Sequence, residues 1–115
     1  MMKFSETSAF SKDLKRLSKK YKSLPNDVHE FKKVVAVVPC GSSKHFVILR
    51  NEDEVRIIKA RLFCRYLRGT SLRVVYAYDA RNEKITFIEL YFKGDQEREN
   101  DERIEAWFKL REHNA

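Results

Sequence analysis

Four cations mark the middle of this chain: Lys59, Arg61, Arg73 and Lys93. They fall in or beside three β-prone segments, Val55–Cys64, Leu72–Asp79 and Lys84–Lys93. Side chains alternate between the two faces of a strand, so Lys59 and Arg61 share one face while Ile58, Ala60, Leu62 and Cys64 share the other. A cation without a partner is costly to bury, so the Lys59 face of such a sheet should be wet and positive. The chemistry open to it is the binding of an anion, above all the phosphates of a nucleic acid.

The whole chain bears on the same point. Its 115 residues suffice for one domain with one modest core, and 43% are hydrophobic. No apolar run approaches the roughly 20 residues needed to span a bilayer. The opening MMKFSETSAF lacks an apolar stretch of signal-peptide length, so a cytoplasmic location without membrane contact is expected. Residues 1–93 hold 20 Lys/Arg against 10 Asp/Glu, and residues 94–115 hold 4 against 7. A basic body with an acidic tail points to an anionic partner, although a plain basic surface would carry the same charge.

Other chemistries leave no trace. Cys40 and Cys64 match no zinc or redox spacing and read as ordinary small core or loop residues. There is no glycine-rich phosphate loop, metal-ligand cluster or nucleophile elbow, so no cofactor and no metal are expected. His29, His45 and His113 belong to no recognisable catalytic set and read as surface histidines.

The elements that must position the cations can be read in order. Met2 and Phe4 alternate with polar residues, as in a short strand. Phe10, Leu14, Leu17 and Tyr21 recur at helical spacing among five cations, which predicts a helix from about Thr7 to Lys22 capped by Ser5 or Thr7. Pro25 opens a second helix with a stripe of Val28, Phe31, Val34, Val35 and Val38, ended by Pro39 and Gly41. Strands are expected at His45–Arg50 and Val55–Cys64, with a turn at Asn51–Glu54, then a basic connector Arg65–Ser71. The last two strands should form a hairpin with an Ala80–Asn82 loop and Asn82 in the left-handed region. That register sets Arg73 opposite Glu89, Val75 opposite Phe87 and Ala77 opposite Ile85. Leu72, Val74, Tyr76, Thr86, Ile88 and Leu90 would then lie under the helices. The Arg73 face, with Glu89, Tyr91 and Lys93, would stay at least partly open. Glu97–His113 reads as a polar helix with Ile104, Trp107, Phe108 and Leu110 on its apolar side.

The basic opening helix FSKDLKRLSKKY, the KAR…LRG run, the LRVVY strand and the last strand ending in YFKGD, in this order and spacing, resemble the RelE/ParE toxin superfamily. The resemblance covers roughly residues 8–105. It implies an α+β fold, with two N-terminal helices packed on a twisted antiparallel sheet of about four strands, plus a C-terminal helix here. It implies the toxin half of a bacterial toxin–antitoxin pair, silenced by an antitoxin with an acidic or amphipathic segment. RelE-like members act on the ribosome as metal-independent mRNA endoribonucleases, in which a ribose 2′-hydroxyl attacks the adjacent phosphate. ParE-like members poison DNA gyrase, and other members do not cut. Carried onto this chain, Arg73 would hold the scissile phosphate, or else pair across the strands with Glu89. Lys59 and Arg61 would bind flanking phosphates or favour the ionised nucleophile, Lys93 would supply the cation that members often place where the last strand ends, and Arg65 and Arg68 of the connector would add to the RNA-binding surface. Cutting members commonly place a His or Tyr near the end of the last strand. Phe92-Lys93-Gly94-Asp95 offers neither, which leaves Tyr91 and Glu89 as candidates for proton transfer.

Overall fold

Thr7 starts the first helix. In a computed structural model describing residues 1–41 and 43–113, its hydroxyl accepts the Phe10 N–H at 3.1 Å. Helix α1 runs Ser8–Lys20, with Phe10 and Leu17 buried and its lysines turned outward. Residues 21–23 turn the chain into α2, Leu24–Val37, with Pro25 in the first turn, where no helical N–H bond is forfeited. Val28, Phe31 and Val35 are buried, so the β-branched run is held helical by the face it packs, while Val34 and Val37 stay exposed.

The sheet has five strands: β1 Lys3–Glu6, β2 Phe46–Glu52, β3 Val55–Cys64, β4 Gly69–Asp79 and β5 Lys84–Phe92, in the order β1-β5-β4-β3-β2. The expected antiparallel sheet of about four strands is corrected twice over. The short N-terminal strand joins as a fifth member, and it pairs parallel to β5, Lys3 to Lys84 through Glu6 to Phe87. The reason is topological: β1 returns to the sheet's far edge only through the rest of the chain, and such a long connection permits parallel pairing.

Helices α1 and α2 cover one face over Ile58, Leu62, Leu72, Val74, Tyr76, Phe87 and Leu90. The rings of Phe10 and Phe87 lie 5.3 Å apart, and those of Tyr76 and Phe87 6.0 Å apart. The Tyr76 hydroxyl, buried with its ring, donates to the Pro39 carbonyl at 2.6 Å. Burying each such side chain contributes about 1.5–3 kcal/mol. Helix α3, Asp101–His113, begins later than the expected Glu97 and lies on the other face. Its Ile104, Trp107 and Phe108 pack on Val55, Ile57, Val75, Ala77 and Ile88. Leu110, expected on the apolar side, is exposed. Among the described residues no helix is long and apolar enough to cross a membrane.

The β4–β5 hairpin forms where expected, with a different register. Its loop is Ala80–Glu83, and Asp79 pairs with Lys84. Glu83, at φ 49°, takes the left-handed position in place of Asn82. Asn82 is instead tied to Asp79, its N–H at 3.2 Å from Oδ1 and its amide at 2.8 Å from Oδ2. A bulge then inserts Ile88 between the Tyr76–Phe87 and Val75–Glu89 pairs. Arg73 therefore faces Tyr91, and neither Val75–Phe87 nor Ala77–Ile85 forms. Leu72, Val74, Tyr76 and Leu90 lie under the helix pair as expected, joined by Ile85 and Phe87. Ile88 turns to the α3 side, and the Thr86 hydroxyl meets that of Ser5 at 2.9 Å.

Strand β2 also outruns its expected end, to Glu52, leaving a turn of Asp53 and Glu54 with φ of 46° and 67°. Positive φ at both central residues suits the right-handed twist of a hairpin. A second bulge, at Leu49, separates the Ile48–Ile58 and Arg50–Ile57 pairs.

Candidate nucleic-acid interface

The two bulges decide which side chains meet. A bulge adds one residue to one strand and so reverses the facing of everything beyond it. Without Leu49's extra place, His45 and Val47 would point toward α2. With it, Val47 pairs with Lys59, and the Arg61 N–H bonds the His45 carbonyl at 3.0 Å. Without the bulge at Ile88, Glu89 and Tyr91 would lie under the helices. With it, Tyr91 pairs with Arg73 and the Lys93 N–H bonds the Ser71 carbonyl at 2.9 Å.

Arg61 and Arg73 stand directly opposite each other on β3 and β4. Lys44, His45, Lys59, Arg61, Arg73 and Lys93 line one shallow depression of about 190 Å³. Like charges opposed across strands repel, so this arrangement opposes folding unless an anion lies between them. Partial burial, then Arg61, lower the affinity of the Arg73 guanidinium for its proton, and Tyr91 acts the other way. Arg73 Nη1 is fixed by the carbonyls of Thr70 at 2.5 Å and Leu72 at 3.2 Å. Among the described residues, carboxylates within 4.0 Å engage Lys59, Arg50, Arg103 and Arg111 but none of Arg61, Arg73 and Lys93.

The remaining predicted site residues are placed differently. Lys59 is in the depression, but its ammonium already holds Glu99 at 2.7 Å. Burial raises the Glu99 carboxyl, yet the hydrogen bond from Lys59 and the charges of Lys59 and Arg98 bring it below the usual range. Glu89 is not on an open face: it is buried, its Oε1 accepting the Asn100 N–H at 2.8 Å and its Oε2 the Gln96 amide at 2.6 Å. It anchors the loop before α3 and does not pair with Arg73. Tyr91 is buried too, and burial, followed by Glu99 and Glu89, pushes its phenol up to about 12. Near neutral pH the phenol is protonated and cannot act as a base. Arg65 and Arg68 lie exposed in the β3–β4 turn, outside the depression.

Lys44 and His45 were not singled out by sequence for this place. Their only signal is the facing of β2, and the Leu49 bulge hides it. His29 is exposed on α2, and the side chain of His113 lies outside the described residues.

The end of β5 is secured from behind. β1 stops pairing at Phe87, so beyond it β5 has a free edge. Asp13 of α1 fills the gap, its Oδ2 accepting the Leu90 N–H at 3.0 Å. Arg103 of α3 grips the same carboxylate at 2.5 and 3.1 Å. This pair joins α1, the bulged strand and α3, and so fixes the row that carries Tyr91 and Lys93.

No family model matches the chain, and no curated protein does. Among solved structures, its fold is similar to a chain of the archaeal RelE–RelB complex from Pyrococcus horikoshii OT3. The TM-score is 0.63 with 19% identity, covering 81% of this chain and 96% of that one. At that identity the likeness is one of architecture, and the architecture of this chain is a RelE-like α+β fold.

Proposed function

We propose that the protein is the toxin half of a toxin–antitoxin pair and acts in the cytoplasm as a ribosome-dependent mRNA endoribonuclease. The observation that carries this reading is the directly opposed Arg61–Arg73 pair, with no carboxylate within 4.0 Å among the described residues and with Lys93 lining the same depression. A phosphate between the two guanidiniums relieves their repulsion and receives bidentate hydrogen bonds. In cleavage the ribose 2′-hydroxyl attacks the adjacent phosphorus, the bond to the 5′-oxygen breaks, and a 2′,3′-cyclic phosphate and a 5′-hydroxyl result. Charge grows on the phosphoryl oxygens, where fixed donors stabilise the transition state more than the ground state. The RNA supplies the nucleophile, so the protein must bind, align and move protons. His45, exposed and lining the depression, carries an imidazole, which can both accept and donate a proton. With Glu89 and Tyr91 buried, it replaces them as the first candidate.

That same burial favours a second reading, in which the protein binds RNA without cutting it. An antitoxin would cover the basic face with an acidic or amphipathic segment, and a small neighbouring gene for such a partner would support the toxin pair. Inducing the protein in cells and mapping mRNA ends decides between the readings. New ends that vanish in Arg73→Ala support cleavage. RNA co-purification without new ends supports binding alone.

A further inference from the structure

Beside the cationic depression lies a second, apolar groove of about 360 Å³. It opens where β2 stops. The β2–β3 ladder ends at Phe46 and Ala60, with one further bond from the Arg61 N–H to the His45 carbonyl, while β3 runs on to Cys64 paired on its other side with β4. The groove is lined by Phe31 and Val34 of α2, by Phe46 of β2, and at the edge of β3 by Leu62 and Phe63, whose side chains alternate, Leu62 toward the helices and Phe63 toward the Arg61 face. Phe63 is 55% exposed and Val34 47% exposed, so both leave apolar surface open to solvent along the groove. His45 and Arg61 line both the groove and the depression, so the two are continuous.

We propose that this groove is a nucleobase subsite, taking a base of the same RNA strand whose phosphate lies between Arg61 and Arg73. The inference rests on the RNA-binding reading above and deepens it. A nucleotide is anionic at one end and flat and apolar-faced at the other. Here a guanidinium pair with no carboxylate within 4.0 Å among the described residues adjoins, through a shared arginine, an apolar groove that carries the exposed Phe63 ring. Single-stranded RNA is held in this way, by cations on the backbone and aromatic side chains against the bases. The volume lies near the lower end of small-ligand sites. The bare edge of β3 covers only 62–64, too short a run for a partner to add a strand of ordinary length.

The test is equilibrium binding, by fluorescence anisotropy, of a labelled short single-stranded RNA and of an abasic RNA backbone of equal length. Wild type should bind the base-bearing strand roughly ten-fold more tightly, as expected for loss of a stacked base. Phe63→Ala should bring the base-bearing strand down to the abasic affinity and leave abasic binding unchanged. Phe63→Trp should restore the difference. Arg73→Ala should weaken both strands. Equal affinity of wild type and Phe63→Ala for the base-bearing strand would overturn the subsite while leaving the RNA reading standing, and would assign the groove to an apolar side chain of a protein partner. Failure of wild type to bind either strand would overturn both.

Discussion

Replacing Arg61 by glutamine should make the free protein more stable while impairing its action on RNA. Arg61 faces Arg73 across β3 and β4, and Lys59 and Lys93 line the same depression. No carboxylate lies within 4.0 Å of Arg61 among the described residues. Two charges about 5 Å apart repel by about 0.8 kcal/mol in a water-like medium and about 3 kcal/mol at the effective dielectric of a protein surface. Arg61 is exposed, so the lower end applies, the same scale as the roughly 0.2–1 kcal/mol by which exposed opposite-charge pairs stabilise. Arg73 is the less suitable position, because its guanidinium also binds the Thr70 and Leu72 carbonyls. Urea unfolding of Arg61→Gln at low salt should show a gain of about 0.5–1 kcal/mol, or about 2–4 °C in Tm for a domain of this size. The gain should shrink in 0.5 M salt, a concentration that shortens the screening length to roughly 4–5 Å. Lower stability than wild type at low salt, or a gain insensitive to salt, would refute the unpaired-cation account.

Asp13→Ala strands the Arg103 guanidinium and the Leu90 N–H together, and the urea midpoint should report a loss of about 2–4 kcal/mol. Glu99→Gln weakens the hold on Lys59, so RNA affinity should rise and the log–log salt slope of binding steepen by about 1. Acid should destabilise the fold through Glu99 and Asp79. In Asp79, burial raises the carboxyl, but bonds from Asn82 and Arg111 outweigh it and leave it below the usual range. Both groups titrate lower folded than unfolded, so their contribution is full above the unfolded value of about 4 and is lost as pH falls through the folded one. Stability profiles between about pH 6 and pH 3 should be flatter for the Asp79→Asn/Glu99→Gln double variant than for wild type.

Much of the frame was legible because it depends on local pattern. The bounds of β3 and its division into an Ile58 face and a Lys59 face follow from alternation alone. The Thr7 cap and the break at Pro25 follow from backbone chemistry. What escaped depends on distant partners. Nothing in the sequence around Ile88 announces a bulge, because Asp13 and Arg103, far away in the chain, satisfy the groups it leaves free. Two errors in the β4–β5 register, the loop length and the bulge, together keep the facing of Glu89, Tyr91 and Lys93 unchanged while moving their partners. Glu89 looked open because an acidic strand residue usually is. Its burial follows from Gln96 and Asn100, in a stretch that sequence assigned partly to α3. His45 escaped because the Leu49 bulge lies between it and the turn that would have fixed its facing.

The central claim is that Arg73, set against Arg61, stabilises a phosphate of RNA in the transition state of cleavage. Single-turnover cleavage on purified programmed ribosomes, followed by mapping of mRNA ends, tests it most directly. Wild type should generate new ends, with a chelator present as well as without, and Arg73→Ala should be slower by about 100- to 1,000-fold at unchanged fold. Absence of new ends with wild type, or cleavage by Arg73→Ala at the wild-type rate, would contradict it.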